Sequence, residues 1–203
     1  DLNRCEVLHP KIGDLLEALS ELIQSLTIYN RLPQIEVALS DTQAALSFRV
    51  LDAPSEDDKV KLIEFGQYYD IQVYLQPKGP ATTYPLWPDD AVLNYQLPDF
   101  ELEMKFLPSH FTQVNPAINQ KMIKRALALL DLQPDDSVLD LFCGLGNFTL
   151  PLARRAGTVI GIEGDSSLVE WAGANAEYNS ITNADFFAFD LTREVSTQPW
   201  MKQ

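Results

Sequence analysis

Two cysteines, two histidines, and 15 lysines and arginines against 29 acids make this 203-residue sequence poor in reactive and basic side chains. Cys5 and Cys143 lie far apart without a CxxC or repeated spacing, which excludes a disulfide framework and a self-contained zinc site and fits a reducing compartment. No run of 18 or more apolar residues occurs, so no membrane contact is expected, and DLNRCEVLHP has neither a basic stretch before an apolar one nor a starting Met. A soluble, cytoplasmic piece of something longer is expected. Repeats and low-complexity tracts are absent too. The net charge of −14 divides into 8 basic and 18 acidic residues over 1–110, and 7 and 11 over 111–203. Such a surface repels phosphate backbones, so charge taken alone argues against nucleic-acid binding.

What is present is a 46% hydrophobic chain, enough for one sizeable domain or two small ones. Ile12, Leu15, Leu16, Leu19, Leu22, Ile23 and Leu26 keep helical spacing and predict one amphipathic helix over 12–26. QIEVALS and AALSFRV around Asp41-Thr42-Gln43 read as a hairpin, and SEDDKVKLIEFGQYYD as a helix with an acidic start leading into the strand IQVYLQ. Residues 77–88 hold four prolines and read as loop. AVLNYQL and FELEMKF then predict a second hairpin extending the same sheet. Beyond Pro108 the pattern changes. Asn115 and Pro116 open a helix with Ile118, Met122, Ala126, Leu129 and Leu130 on one face, followed by the alternation SVLDLF, helix from Phe148, TVIGIE, helix from Ser166 capped by Asp165, and ADFFAFD. The fold class expected is α/β: an incomplete doubly wound, Rossmann-like sheet over 111–203, preceded by a smaller α+β domain over 1–110.

The stretch VLDLFCGLGNFTLPLARR joins the first of those strands to its helix through a glycine loop, where backbone can approach a ligand closely. A glycine pair alone is weak evidence. Glu163 ends the next strand 17 residues past Gly146, where an acid can take both hydroxyls of a ribose, and Asp190 ends the third, placed to accept from an adenine amino group. A dinucleotide loop wants a third glycine where Thr149 stands. S-adenosylmethionine carries no phosphate, and its sites begin with a strand acid, here Asp140, so the pattern favours it over NAD.

DLFCGLGNFTLPLA, with FTQVNPAINQKM about 25 residues before it, resembles the uracil-5-methyltransferases of RNA, and within them the branch acting on 23S ribosomal RNA. LVEWAGANAEYN and the tail VSTQPW extend the resemblance over essentially the whole chain. It implies Gln113, Phe142, Gly144, Asn147, Glu163 and Asp190 as residues binding S-adenosylmethionine; Gln113 is otherwise a cap or turn residue, and Asn147 otherwise a helix cap. It implies a cysteine thiolate that adds to carbon 6 of uracil, an enolate that takes the methyl group at carbon 5, and a Glu base that removes the carbon 5 proton. Both catalytic groups are expected beyond Gln203, so residues 1–203 alone are expected to be inactive. Cys143 has no His or Lys beside it in sequence and is read as a packed residue, with His9 and His110 unsupported as bases.

The resemblance further implies a [4Fe-4S] cluster in the parent protein, with Cys5 in RCEVLHP as its fourth ligand. One thiol cannot hold it, and none is expected here. An upstream RNA-binding β-barrel in the family removes the objection from charge. Within this chain Phe111 is the candidate to stack on a flipped base, the alternative being a buried Phe at a domain seam. The first methyltransferase strand is left with an open edge, expected to pair in a homodimer or be covered by a rearranged segment.

Overall fold

In the computed structural model, which describes residues 5, 8–196 and 198–202, the chain divides into two units, one of residues up to 93 with 107–109, the other of residues 94–106 and from 110 onward. The first contains helices α1 (Pro10–Gly13), α2 (Leu16–Ser25) and α3 (Glu56–Tyr69) and strands β1 (Gln34–Leu39), β2 (Ala44–Arg49), β3 (Ile71–Gln76) and β4 (Tyr84–Trp87). The strands form one sheet in the order β1-β2-β3-β4, with β2 and β3 parallel across α3 and the other pairs antiparallel. Local chemistry sets these elements. The Ser40 hydroxyl accepts from the Thr42 and Gln43 N–H groups at the hairpin turn, and Ser55 and Asp58 close a capping box at the start of α3. Leu46, Phe48, Val73 and Leu75 on one sheet face pack with Leu19, Leu22, Leu62 and Phe65 from the helices.

Two expectations fail in this unit. The helix expected over 12–26 is broken at Asp14 and Leu15 into α1 and α2. The Cys5 N–H donates to the Gly13 carbonyl at 3.2 Å, and a Cβ on Gly13 would lie 2.5 Å from the Cys5 carbonyl oxygen, so the Cys5 backbone packs against the end of α1, a separate turn. The proline-rich loop contains β4, which pairs antiparallel with β3 through a register with Tyr74 opposite Pro85. As the outermost strand β4 tolerates a proline, because an edge strand can spare one donor.

The second unit contains β6 (Leu102–Phe106), β7 (Ser137–Leu141), β8 (Thr158–Glu163), β9 (Ala184–Ala188), and helices α4 (Pro116–Leu130), α5 (Thr149–Ala153) and α6 (Ser166–Tyr178), with β5 (Leu93–Leu97) entering it at Asn94. β7, β8 and β9 form a wholly parallel sheet in that order, with Asp140 beside Gly161 and Glu163 beside Ala188. Leu150, Leu152, Val159 and Ala176 bury one side with Met104 and Ile123; Ile160, Ile162 and Trp200 bury the other with Phe187 and Phe189. This is the expected α/β class with a partial doubly wound sheet.

The expected division at residue 110 is corrected for the second hairpin. β5 and β6 do not extend the first sheet but form a two-stranded sheet of their own, and residues 94–106 belong with the second unit. Asn175 and Asn179 on α6 explain the allegiance: each side-chain amide accepts from one backbone N–H of β6 and donates to the carbonyl of the same residue, Asn175 at Lys105 (2.8 and 3.1 Å) and Asn179 at Glu103 (2.8 and 2.8 Å). On α4 the expected apolar face is exposed at Ile118, Met122, Leu129 and Leu130, while Asn119 and Ile123 are the buried residues. Among the described residues no helix is long and apolar enough to cross a membrane.

Candidate functional site

The loop between β7 and α5 turns on three left-handed residues, Phe142 (φ 62°), Gly144 (φ 54°) and Gly146 (φ 89°). Glycine takes that region without cost, but a phenylalanine there carries strain of order 1–3 kcal/mol, a feature that concentrates at ligand sites. The Cys143 N–H donates to the Ile162 carbonyl at 3.0 Å, and the Gly146 N–H to the Cys143 carbonyl at 2.9 Å. Cys143 and Leu145 thereby point inward and are buried, whereas the Phe142 ring stands 73% exposed. A Cβ on Gly144 would meet nothing within 4 Å, so the backbone there lies open to an incoming group.

Carboxylates ring this loop at the strand ends. Glu163 closes β8; its Oε2 accepts from the Gly144 N–H at 3.0 Å and its Oε1 from the Gly164 N–H at 2.7 Å. Oε1 also accepts from the Asp165 N–H at 3.3 Å, so Glu163 is fixed in direction by three backbone N–H groups while Oε2 keeps a lone pair for an incoming hydroxyl. The Phe189 N–H donates to the Glu163 carbonyl at 2.8 Å, which brings Asp190 to the same end of the sheet. Asp190 Oδ1 accepts from the Thr192 N–H and hydroxyl at 3.0 and 2.6 Å, and the hydrogen bonds to Thr192 hold its carboxyl below the usual carboxylate range. Asp140 is the exception. Burial pushes its carboxyl up, and the Thr149 hydroxyl, donating to Oδ2 at 2.6 Å, works the other way.

The remaining expected residues divide. Asn147 does not cap α5, which has no side-chain cap; its Oδ1 accepts from the Tyr95 hydroxyl and from Asn119 Nδ2, both at 2.9 Å. Gln113 and Phe111 stand exposed in the segment before α4, and Phe111, 79% exposed, is not a buried seam residue. Asn115 caps α4 through the Ile118 N–H. Burial, then the nearby Asp140 and Glu163 charges, push the Cys143 thiol up to about 12. That leaves a thiolate fraction of about one in 10⁵ at neutral pH, so Cys143 is no activated nucleophile. His9 accepts from the Lys11 N–H at the start of α1, and His110 packs edge-on against Trp171, its pKa lowered by burial. Cys5 is a free, partly buried thiol. Tyr95, Asn119 and Thr149 are the supporting residues that sequence reasoning missed. Asn119 lies within the motif stretch FTQVNPAINQKM, but nothing in that pattern marks it as buried.

The donor set selects among ligands. Two strand-end carboxylates, Glu163 and Asp190, oppose a pyrophosphate but suit hydroxyls, an exocyclic amine and a positively charged centre. An adenosyl group carrying a sulfonium fits that set.

A family model described as tRNA (Uracil-5-)-methyltransferase matches residues 3–198. The 23S rRNA (uracil(1939)-C(5))-methyltransferase RlmD of Xanthomonas campestris pv. campestris is 46% identical over 203 residues, covering 100% of this chain and 46% of that protein. The protein of the same name from Cupriavidus necator is 48% identical over 198 residues, covering 96% of this chain and 45% of its own. The chain thus spans about half the length of the curated relatives it matches. Among solved structures, the Pyrococcus abyssi tRNA (uracil-54, C5)-methyltransferase in complex with S-adenosyl-L-homocysteine superposes with a TM-score of 0.73 at 20% identity, covering 98% of this chain and 50% of that one, a likeness of fold.

Proposed function

The chain belongs to the tRNA (uracil-5-)-methyltransferase family, and from that premise we propose that its protein transfers a methyl group from S-adenosylmethionine to carbon 5 of a uracil in 23S ribosomal RNA. The observation that carries the reading is the pair of strand-end carboxylates, Glu163 and Asp190, held in direction by backbone N–H groups beside an open glycine loop. Bound S-adenosylmethionine supplies an electrophilic methyl group on sulfur. The chain's own residues bind and orient: Glu163 takes the ribose hydroxyls, Asp190 accepts from the adenine amine, and the exposed Phe142 ring offers an apolar face. The remaining N–H of Asn147 and the exposed Gln113 supply further polar contacts. Phe111, exposed ahead of α4, is suited to stack on an extruded uracil. Cys143 is a packing residue of the loop. With Cys5 as the only other thiol in residues 1–203, and suited to ligate a [4Fe-4S] cluster with three further cysteines, this polypeptide alone binds cofactor without turnover.

Calorimetry of the 203-residue chain with S-adenosylhomocysteine tests the cofactor assignment. Binding is expected, weakened about tenfold or more in Glu163→Gln, which loses charge-assisted bonding to the ribose. No binding at millimolar ligand, or binding of NADH instead, refutes it.

A second reading concerns assembly. The outer edge of β7 has no partner strand among the described residues, and Leu139 and Leu141 on it are exposed. An open edge with apolar side chains templates pairing, so the 203-residue polypeptide forms a homodimer through β7. Light scattering after gel filtration is expected to give twice the chain mass, and a monomer at micromolar concentration counts against it.

A further inference from the structure

The cofactor loop is tied at its far end as well as at the strand. Tyr95 on β5, Asn119 on α4 and Asn147 at the loop's end form a closed cluster within the second unit. Asn147 Oδ1 accepts from the Tyr95 hydroxyl and from Asn119 Nδ2, both at 2.9 Å, and Asn147 Nδ2 donates back to Asn119 Oδ1 at 2.9 Å. A side-chain amide offers two acceptor lone pairs and two N–H donors. Both lone pairs of Asn147 and one of its donors are therefore used by protein groups. Asn119 is 4% exposed, so water does not replace its contribution. Tyr95 is half-buried, burial disfavours the ionisation of its phenol, and its hydroxyl remains a proton donor.

Sheet pairing alone would leave the loop anchored at one end. The Cys143 N–H to the Ile162 carbonyl and the Gly144 N–H to Glu163 Oε2 fix the start of the turn, whereas Gly146, bonded only within the turn and helix through its backbone, has no side chain to hold the turn's end. The cluster fixes the end, and it does so from two elements, β5 and α4, remote in sequence from the loop. We propose that Tyr95 and Asn119 are positioning residues which, acting through Asn147, hold the loop 142–147 in the form that receives the cofactor. The proposal rests on the cofactor reading above. It assigns a role to a hairpin strand and a helix that contribute no group to the strand-end carboxylates.

Two measurements on the 203-residue chain test it. Without ligand, hydrogen exchange across 142–148 is expected to quicken at least about tenfold in Asn119→Ala and about threefold in Tyr95→Phe, while the amides of β8 keep their protection. With S-adenosylhomocysteine as probe, Asn119→Ala weakens binding about tenfold and Tyr95→Phe about threefold, and Asn119→Ala combined with Asn147→Ala binds no worse than Asn147→Ala alone, because Asn119 acts through Asn147. Loop exchange unchanged in both variants overturns the proposal, as does a double variant in which the two losses multiply. Tyr95→Phe removes one hydroxyl and carries the test should Asn119→Ala fail to fold. If the unmodified chain does not bind the probe, the cofactor reading fails while the exchange measurement still decides the positioning role.

Discussion

Replacing Asn175 by alanine is expected to cost the second unit about 3 kcal/mol, although Asn175 touches neither the loop carboxylates nor any strand of the parallel sheet through its side-chain amide. Successive residues of a strand point their N–H and C=O groups to opposite edges, so Glu103 and Lys105, two apart, present theirs to the same side of β6. Residues four apart on a helix stand one turn above each other at about 6 Å, close to the strand's two-residue repeat of about 6.8 Å. Asn175 and Asn179 use that match: their amides pair with β6 as the backbone of another strand would. Asn175 is 1% exposed, and its Nδ2 also reaches the Leu145 carbonyl at 3.4 Å. Its loss strands the N–H and C=O of Lys105 at a buried edge. Each unsatisfied group costs about 1–3 kcal/mol, and alanine returns roughly half a kcal/mol of helix propensity. Asn179, at the end of α6 and only partly buried, admits water to Glu103, so Asn179→Ala costs about 1 kcal/mol. Asn175→Asp keeps the acceptor but turns a carboxylate toward the Lys105 carbonyl, and is expected to be at least as damaging as alanine. Urea denaturation followed by tryptophan fluorescence, to which Trp171 and Trp200 of the second unit contribute, measures all three. A loss below 1 kcal/mol for Asn175→Ala, or equal losses at 175 and 179, refutes the pseudo-strand account.

Further outcomes follow from buried ionisable groups. Burial alone would raise the Asp58 carboxyl, but hydrogen bonds from the side chains and backbone N–H groups of Thr27 and Ser55 hold it at about 2 against an ordinary 3.8. The folded form is thus the weaker proton binder. Its contribution of about 2 kcal/mol is complete above pH 4 and is lost as pH falls through 2. Unfolding free energies at pH 5, 3 and 2 are expected to converge between the unmodified chain and Asp58→Asn, and a constant difference would sink the assignment. Cys143, buried and held protonated, is expected to resist iodoacetamide at pH 8 while Cys5 is alkylated. Mass mapping that finds Cys143 modified first would contradict its role as a packing residue.

Much of the architecture was legible because short-range chemistry marks it. Ser55, Asn115 and Asp165 stand where caps are needed, and each accepts from a backbone N–H of the helix it precedes. The α/β alternation after residue 116 follows from period changes that local sequence carries. Misreadings arose where distant partners override local pattern. Apolar spacing runs unbroken through Asp14 and Leu15, yet the helix is split there, where the backbone of the distant Cys5 packs against Gly13. Pro85 reads as loop because it lacks a donor, and only the position of β4 at the sheet edge makes that lack harmless.

The same distinction separates the parts of the candidate site. Glu163 and Asp190 could be found from spacing, since an acid at the end of a parallel strand is fixed by the strand itself. Asn147 could be found as a motif residue but its direction could not, because its partners lie 52 and 28 residues away and a side-chain amide pair leaves no periodic trace. Asn119, Asn175 and Asn179 share that property. Helical spacing assigns an asparagine to the solvent face by its polarity, whereas these bond to groups that another element presents without partners of its own. A buried asparagine in this fold is therefore a joint between elements. Substituting it is expected to change where β6 and the glycine loop are held before it changes whether they form.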